Sequence, residues 1–153
     1  MNRRALLRAA LGFAIAAPAV IGKAAAMLAD PIDITVYKDP ACGCCKLWVE
    51  HLRTHSFAVT VHETGDMDPV KQQFAIPEAL QSCHTATIGG YVIEGHVPAQ
   101  DIRRLLSERP KARGLAVPGM PAGSPGMETE ALAEHYDVLL FADSGDPKIF
   151  SSY

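Results

Sequence analysis

The sequence predicts an α/β fold, and three observations support this class. Short β-branched runs of alternating polarity are separated by segments whose apolar residues recur at helical spacing. The chain has 153 residues, 48% of them hydrophobic and 20% charged, which suits one domain with a real core. Its four cysteines are too few for a disulfide-dense miniprotein. Composition therefore excludes intrinsic disorder, collagen-like repeats and a long coiled coil.

The predicted elements follow a simple order. Residues 32–37 alternate and form the first strand, which Asp39-Pro40 ends. A helix is expected from Cys44 to about Ser56, with its inner face formed by Leu47, Trp48, Val49 and Leu52. The later elements are a strand at 57–62, short helices at 70–74 and 77–81, a hairpin of 85–88 and 91–94 around Gly89-Gly90, a helix from Pro98 to about Glu108 with Ile102, Leu105 and Leu106 facing inward, an irregular loop at 111–127, a strand at 136–141, and a turn at 144–146 into 148–150. The core order β-α-β-α-β-β-α is that of a thioredoxin-like domain, followed here by a Gly/Pro/Met loop and a C-terminal β extension.

The N-terminus has the layout of a secretory signal. Arg3, Arg4 and Arg8 form a basic start, residues 9–22 are uncharged, and three alanines at 24–26 suit a signal peptidase. The uncharged stretch is too short to span a bilayer as a helix. We expect residues 1–26 to be a signal peptide, similar to the twin-arginine type, and 27–153 to be a single exported domain without a stable membrane span. An amphipathic N-terminal helix or a membrane anchor is the alternative.

The charge balance differs between these two pieces. Residues 1–26 hold four basic side chains and no acid, so the remainder carries ten basic and seventeen acidic side chains, a formal charge of about −7 against −3 for the whole chain. Phosphate contacts need clustered lysine and arginine. We therefore expect no nucleic-acid partner.

Three cysteines, Cys42, Cys44 and Cys45, lie where the first strand ends and the first helix begins. Free N–H groups and the positive end of the helix dipole stabilise thiolates there. Cys42 and Cys45 have the C-x-x-C spacing of a dithiol oxidoreductase, but Cys44 could attack any bridge between them. Cys83 lies just before the third strand, near the place where a thioredoxin-like fold normally carries a cis-proline. We expect all four thiols to converge on one pocket.

Three interpretations of the four cysteines remain open. Two disulfides suit an even count in an exported protein, although the adjacent Cys44 and Cys45 make two unstrained bridges hard to draw. One tetrahedral zinc is the second interpretation, without the usual two C-x-x-C pairs. Several Cu(I) ions are the third, because soft sulfur ligands select Cu(I) and four thiolates carry a charge of −4 that several monovalent ions offset.

Four further residues are candidates for an accessory role. Met120 and Met127 lie in the Gly/Pro-rich loop, where they either cover the thiol pocket with soft thioethers or simply pack against the domain. His84 follows Cys83 but, as a strand neighbour, is expected to point to the other face. His84 and His96 are expected to be structural or to support the metal ligands rather than bind the ion.

The chain resembles the CopG family of periplasmic copper-resistance proteins from about Ile34 to Phe150. The resemblance rests on four segments: Cys42-Gly43-Cys44-Cys45, Ser82-Cys83-His84-Thr85-Ala86, the run from Gly90 to Pro98, and the run from Gly119 to Glu128. It implies a thioredoxin-like fold and copper bound as a sulfur-bridged multinuclear cluster. Cys42, Cys44, Cys45 and Cys83 match the family's cysteine positions. A redox role in copper detoxification is also implied.

The leading hypothesis is an exported, periplasmic copper-binding protein for copper resistance and homeostasis. It would sequester excess copper by holding several Cu(I) ions through the cysteines, with copper redox activity and periplasmic copper-handling proteins as further expectations. One alternative is a thiol–disulfide oxidoreductase that uses Cys42 and Cys45. Another is a metallochaperone that passes copper to a partner without redox chemistry.

Overall fold

The computed structural model describes residues 30–129 and 132–153. The predicted signal peptide at 1–26 lies outside these residues. Within the part of the chain that is described, no helix combines the length and apolar character needed to cross a membrane.

The described residues form a mixed α/β fold with one seven-stranded sheet. Its elements are β1 (Ile32–Lys38), α1 (Gly43–Thr54), β2 (Phe57–Glu63), α2 (Asp68–Gln73), a 3-10 turn (Glu78–Leu80), β3 (His84–Ile88), β4 (Tyr91–Glu94), α3 (Ala99–Glu108), β5 (Gly114–Ala116), β6 (Asp137–Phe141) and β7 (Lys148–Ser152). The α/β class is confirmed.

The strands lie in the order β2-β1-β3-β4-β5-β6-β7. β1 pairs parallel with β2 and antiparallel with β3, and β3 and β4 form the hairpin. β5 is parallel to β4, and β6 and β7 complete the sheet as antiparallel strands. This topology puts β1 and β3 side by side within the sheet. Because the two strands are antiparallel, the end of β1 and the start of β3 lie together, with Lys38 paired to His84.

Two apolar clusters stabilise the sheet. The larger includes Trp48 and Leu52 of α1 with Ile102 and Leu105 of α3, all fully buried against strand residues such as Ile93. The smaller cluster contains Ile76, Leu80, Val92, Ala116 and Phe141. Because successive strand residues point to opposite faces, the neighbours on β4 divide between the two clusters. Both faces of the central sheet are thus covered.

The prediction for residues 111–127 is wrong in one place, because β5 (Gly114–Ala116) lies inside the expected loop. Three residues carry no detectable periodicity, and β5 is ordered by pairing with β4 and β6. Gly114 permits this pairing: a Cβ there would lie 1.7 Å from the Val92 carbonyl oxygen.

The predicted inner face of α1 is also wrong at Leu47, which is 57% exposed. The buried positions are Cys45, Trp48, Val49 and Leu52, which follow the i, i+3, i+4, i+7 pattern. Leu47 lies about 200° around the helix from Cys45. The buried face of α1 therefore includes Cys45 and leaves Leu47 on the exposed side.

Candidate metal centre

A tight turn delivers the three clustered cysteines to the start of α1. The Ala41 N–H donates to Asp39 Oδ1 at 2.7 Å, and the Cys42 N–H donates to the Asp39 carbonyl at 3.1 Å. Cys42 is the N-cap of α1, and its Sγ accepts the Cys45 N–H at 3.3 Å. The aspartate side chain satisfies the turn, so the chain reverses directly into the helix. This places the cysteines in the first helical turn.

The four cysteine sulfurs converge, as expected from the sequence. All four Sγ atoms lie within 4.8 Å of one another. Cys42 and Cys45 form a disulfide, whereas Cys44 and Cys83 are free. The Cys44 Sγ lies 3.5 Å from the Cys42 Sγ and 3.8 Å from the Cys83 Sγ. The two-disulfide interpretation is therefore wrong for this structure.

A buried charged network holds the loop that carries Cys83. The Ser82 N–H donates to Glu94 Oε1 at 2.7 Å, and Lys71 Nζ donates to the same oxygen at 2.5 Å. Thr85 Oγ1 donates to the other carboxylate oxygen at 2.6 Å. Since Lys71, Thr85 and Glu94 are all buried, these bonds are shielded from water. Glu94 thereby anchors the backbone next to Cys83.

Gly95 brings the end of β4 close to the same loop. Its φ is +72°, and a Cβ there would lie 2.5 Å from the Val117 carbonyl oxygen and 2.6 Å from the Ser82 Cβ. Only glycine accepts both the left-handed backbone and this contact. The following residue, His96, consequently lies beside Cys83.

His96 presents an unprotonated ring nitrogen to Cys83. Its Nδ1–H donates to the Pro125 carbonyl at 2.8 Å, and its Nε2 lies 3.1 Å from the Cys83 Sγ. Burial lowers the pKa of His96, which favours the neutral ring. Because the carbonyl can only accept, the proton belongs on Nδ1 and the lone pair on Nε2. Metal-binding histidines typically donate their second ring N–H to a carbonyl in this way.

His84 also faces Cys83, contrary to the strand-alternation expectation. Cys83 precedes β3, so alternation does not separate the two side chains, and the His84 Nδ1 lies 3.3 Å from the Cys83 Sγ. The ring is fully buried, 4.3 Å from the Trp48 ring and 4.9 Å from the His96 ring between centroids. Its Nε2 makes no hydrogen bond to the described residues. Burial and the neighbouring His96 hold the pKa of His84 well below its ordinary value.

Cys83 differs electrostatically from a thiol at a helix start. Burial, followed by the proximity of Cys44, raises the pKa of Cys83 to about 12. In the metal-free protein this favours the protonated thiol of Cys83, which lies before β3 and not at a helix start. Its S–H can donate to His96 Nε2, and a metal ion must displace this proton.

The Gly/Pro/Met loop packs directly on α1. The Met120 Sδ lies 3.9 Å from the Cys44 Sγ, and Met120 is 52% exposed. Met127 shapes the loop through its backbone, donating to Ser124 and accepting from Gly123. Of the two expected methionines, Met120 thus places its thioether next to a cysteine sulfur.

The donors of this site suit a soft metal ion. The two compact groups of candidate ligands are Cys42, Cys44, Cys45 and Cys83, and Cys83 with His84 and His96. Two sulfurs at about 2.3 Å from one tetrahedral ion are about 3.8 Å apart. The distance between the free thiols, 3.8 Å, matches this separation. Sulfur and imidazole without a carboxylate favour Cu(I) or zinc over hard cations.

Several supporting residues escaped the sequence analysis. Lys71 and Glu94 pair across the fold, and the Pro125 carbonyl orients His96. An acid at the end of the apolar strand 91–94 was the one local signal for this network. Its partner lies on a different element, so sequence spacing could not reveal the pair.

Comparisons with known proteins relate the chain to one family model and to two solved structures. A family model described as a protein of unknown function, DUF411, matches residues 80–127. No curated protein matches the chain. A solved structure named copper resistance protein CopG, Form 2, is 45% identical, with a TM-score of 0.77, over 81% of this chain and 99% of its own. Form 1 of the same protein is also 45% identical, with a TM-score of 0.76, over 81% of this chain and 98% of its own.

Proposed function

Because the chain belongs to the CopG family of copper resistance proteins, we propose that it binds copper in resistance and homeostasis, holding Cu(I) at Cys42, Cys44, Cys45 and Cys83. The observation that carries this proposal is the convergence of four cysteine sulfurs within 4.8 Å. Thiolate is the softest ligand that a protein side chain offers. Of the two metals considered, Cu(I) and zinc, Cu(I) is the softer and suits thiolates better.

Several Cu(I) ions fit this donor set better than one zinc. Four thiolates carry a charge of −4, and a thiolate sulfur can bridge two ions. We therefore propose a cysteine-bridged multinuclear cluster. Such a cluster can spread an added or removed charge over several ions and sulfurs, which suits copper redox activity. The Cys42–Cys45 bond must first be reduced to supply all four thiolates.

Accessory roles follow from proximity. We propose that His96 and His84 support the site at Cys83, supported by distances of 3.1 and 3.3 Å between their ring nitrogens and the Cys83 Sγ. Met120 covers the Cys44 side, supported by its 3.9 Å sulfur–sulfur contact. For Met127 we propose a role in shaping this cover.

We also propose that residues 1–26 direct export, and that residues 27–153 work in the periplasm as one thioredoxin-like domain. The basic start and short apolar stretch support export. Disulfides form and persist in oxidising compartments, so the Cys42–Cys45 bond supports the periplasmic location. The parallel β1–β2 unit and the β3–β4 hairpin support the thioredoxin-like assignment.

Copper stoichiometry tests the proposal. Reduced protein loaded anaerobically with Cu(I) should hold two or more ions per chain, and X-ray absorption should show Cu–S scattering. Cys44→Ser and Cys83→Ser should each lower the stoichiometry. Fewer than two ions in the reduced wild type, or no Cu–S scattering, would contradict the cluster.

The methionine roles need their own control. Met120→Leu and Met127→Leu keep most of the apolar volume and remove the thioether. Met67→Leu is the matched control, because Met67 is the N-cap residue of α2, an element that carries none of the four cysteines. A cover at Cys44 predicts weaker Cu(I) retention in Met120→Leu alone among the three. Equal retention in all three variants would remove Met120 from the site.

A thiol–disulfide oxidoreductase is the second candidate. The bond between Cys42 and Cys45, with the free Cys44 thiol at 3.5 Å, favours it. It predicts turnover of a disulfide substrate by metal-free protein and loss of turnover in Cys42→Ser. If the protein only binds copper, its metal-free form should not turn over the disulfide substrate. A partner-dependent transfer assay would separate storage of copper from a metallochaperone.

A further inference from the structure

The disulfide divides the four cysteines into two pairs. Cys42 and Cys45 are bonded to each other, so neither offers a thiolate. Cys44 and Cys83 remain free and partly exposed, with their sulfurs 3.8 Å apart. The oxidised protein thus retains half of its cysteine donors in place.

A third candidate donor faces Cys83, one of these two thiols. The His96 Nε2 lies 3.1 Å from the Cys83 Sγ, with its lone pair toward the sulfur because Nδ1–H donates to Pro125. The ring is held in this orientation by the Pro125 bond and by burial, so it keeps its place beside Cys83. The two sulfurs, at the separation expected for one ion, form a two-thiolate donor set, and the imidazole lies on its Cys83 side.

We propose that the disulfide form is itself a copper-binding state, which holds a single Cu(I) between the sulfurs of Cys44 and Cys83 with His96 beside Cys83, and that reduction of the Cys42–Cys45 bond raises the capacity to several ions. This inference rests on the proposed function, since it concerns the same site. Two thiolates with one Cu(I) leave a charge of −1, whereas four thiolates need several ions for comparable neutralisation. The disulfide therefore controls how many ions the protein holds.

The switching step balances with a dithiol as reductant. The S–S bond between Cys42 and Cys45 breaks, and an S–S bond forms within the dithiol. Two electrons and two protons pass to Cys42 and Cys45, and the protons leave when further Cu(I) binds. Reversal by a disulfide oxidant would expel the additional ions and leave the single one.

Anaerobic Cu(I) titration of the full chain in both states tests the inference. The disulfide form should bind one Cu(I) per chain in competition with a chromophoric Cu(I) chelator, and the dithiol-reduced form two or more. Thiol alkylation after copper removal should find two free thiols in the first form and four in the second. X-ray absorption of the oxidised, singly loaded form should show two sulfur neighbours.

Two variants test the contribution of the disulfide cysteines and that of His96 separately. Cys42→Ser/Cys45→Ala keeps an N-cap hydroxyl and removes both bonded sulfurs, so it should bind one Cu(I) even with excess dithiol. His96→Ala, which removes the ring beside Cys83, should weaken Cu(I) binding by the oxidised form at least tenfold and leave the two-sulfur scattering unchanged. His135→Ala is the control, because His135 is exposed and outside both donor groups. Chemical unfolding verifies that each variant is folded.

Failure of this inference is distinguishable from failure of the proposed function. A reduced form with two or more ions beside an oxidised form with none would overturn the single-ion state alone. Four alkylatable thiols after Cu(I) loading of the disulfide form would also overturn it, because Cu(I) would then have reduced the bond. A reduced form with fewer than two ions would overturn the cluster itself.

Discussion

Gly126 determines how closely the loop packs on the cysteine-bearing helix. A Cβ at Gly126 would lie 2.7 Å from the Trp48 nitrogen and 2.9 Å from the Cys44 carbonyl oxygen. Both are helix backbone atoms, which cannot move without breaking α1. We therefore expect Gly126→Ala to lift the loop and to break the bond from His96 to the carbonyl of Pro125.

The magnitude has two parts. Gly126 has a φ of +85°, and an alanine in a left-handed conformation costs about 1–2 kcal/mol. Leaving the buried His96 N–H without its acceptor costs about 1–3 kcal/mol more. The free energy of unfolding should therefore fall by about 2–5 kcal/mol.

Gly145→Ala is the matched control. Gly145 has a φ of +87°, and nothing lies within 4 Å of its added Cβ. It should lose only the conformational part, about 1–2 kcal/mol. Denaturant unfolding measures both variants, and Cu(I) competition should show weaker binding only in Gly126→Ala. Equal losses of stability with equal Cu(I) affinity would refute the packing role assigned to this loop.

Three further predictions concern the fold. Leu52→Ala should lower the free energy of unfolding by about 2–5 kcal/mol because Leu52 is fully buried, whereas Leu47→Ala should change it by less than about 0.5 kcal/mol; similar losses in denaturant titrations would contradict the observed helix face. Gly114→Ala should separate β5 from β4, since its Cβ would lie 1.7 Å from the Val92 oxygen; unchanged amide exchange in both strands would argue against this close approach. Burial raises the pKa of Tyr136 from 10.0 to about 12, so ionisation opposes folding and stability should fall as the pH rises from 10 to about 12. Tyr136→Phe should flatten this fall, and an unchanged pH profile in unfolding experiments would exclude Tyr136 as its source.

Local patterns predicted much of the element order. Alternation marked the first two strands, and a Gly-Gly pair marked the β3–β4 hairpin, because these signals depend on neighbours a few residues apart. The same reasoning placed Leu47 on the buried face of α1. Its exposure depends on which side of the helix packs against the rest of the domain. The reasoning also missed β5, whose three residues are ordered by the strands on either side.

The candidate site was likewise predicted only in part from the sequence. The sequence by itself determined the donor chemistry: four cysteines, three of them in one helical turn, are a soft and crowded set wherever the chain places them. It also indicated Cys83 as the fourth member, because Cys83 lies just before the predicted third strand, near the place where a thioredoxin-like fold normally carries a cis-proline.

Only the tertiary structure decided the arrangement of these donors. It bonded Cys42 to Cys45, left Cys44 and Cys83 free, and turned the His96 Nε2 toward Cys83. The orientation of His96 depends on an atom from a distant part of the chain, the Pro125 carbonyl oxygen, and burial influences the protonation of both the Cys83 thiol and the His96 imidazole. Residue type determines which metals a site can hold, and packing determines which donors are available to hold them.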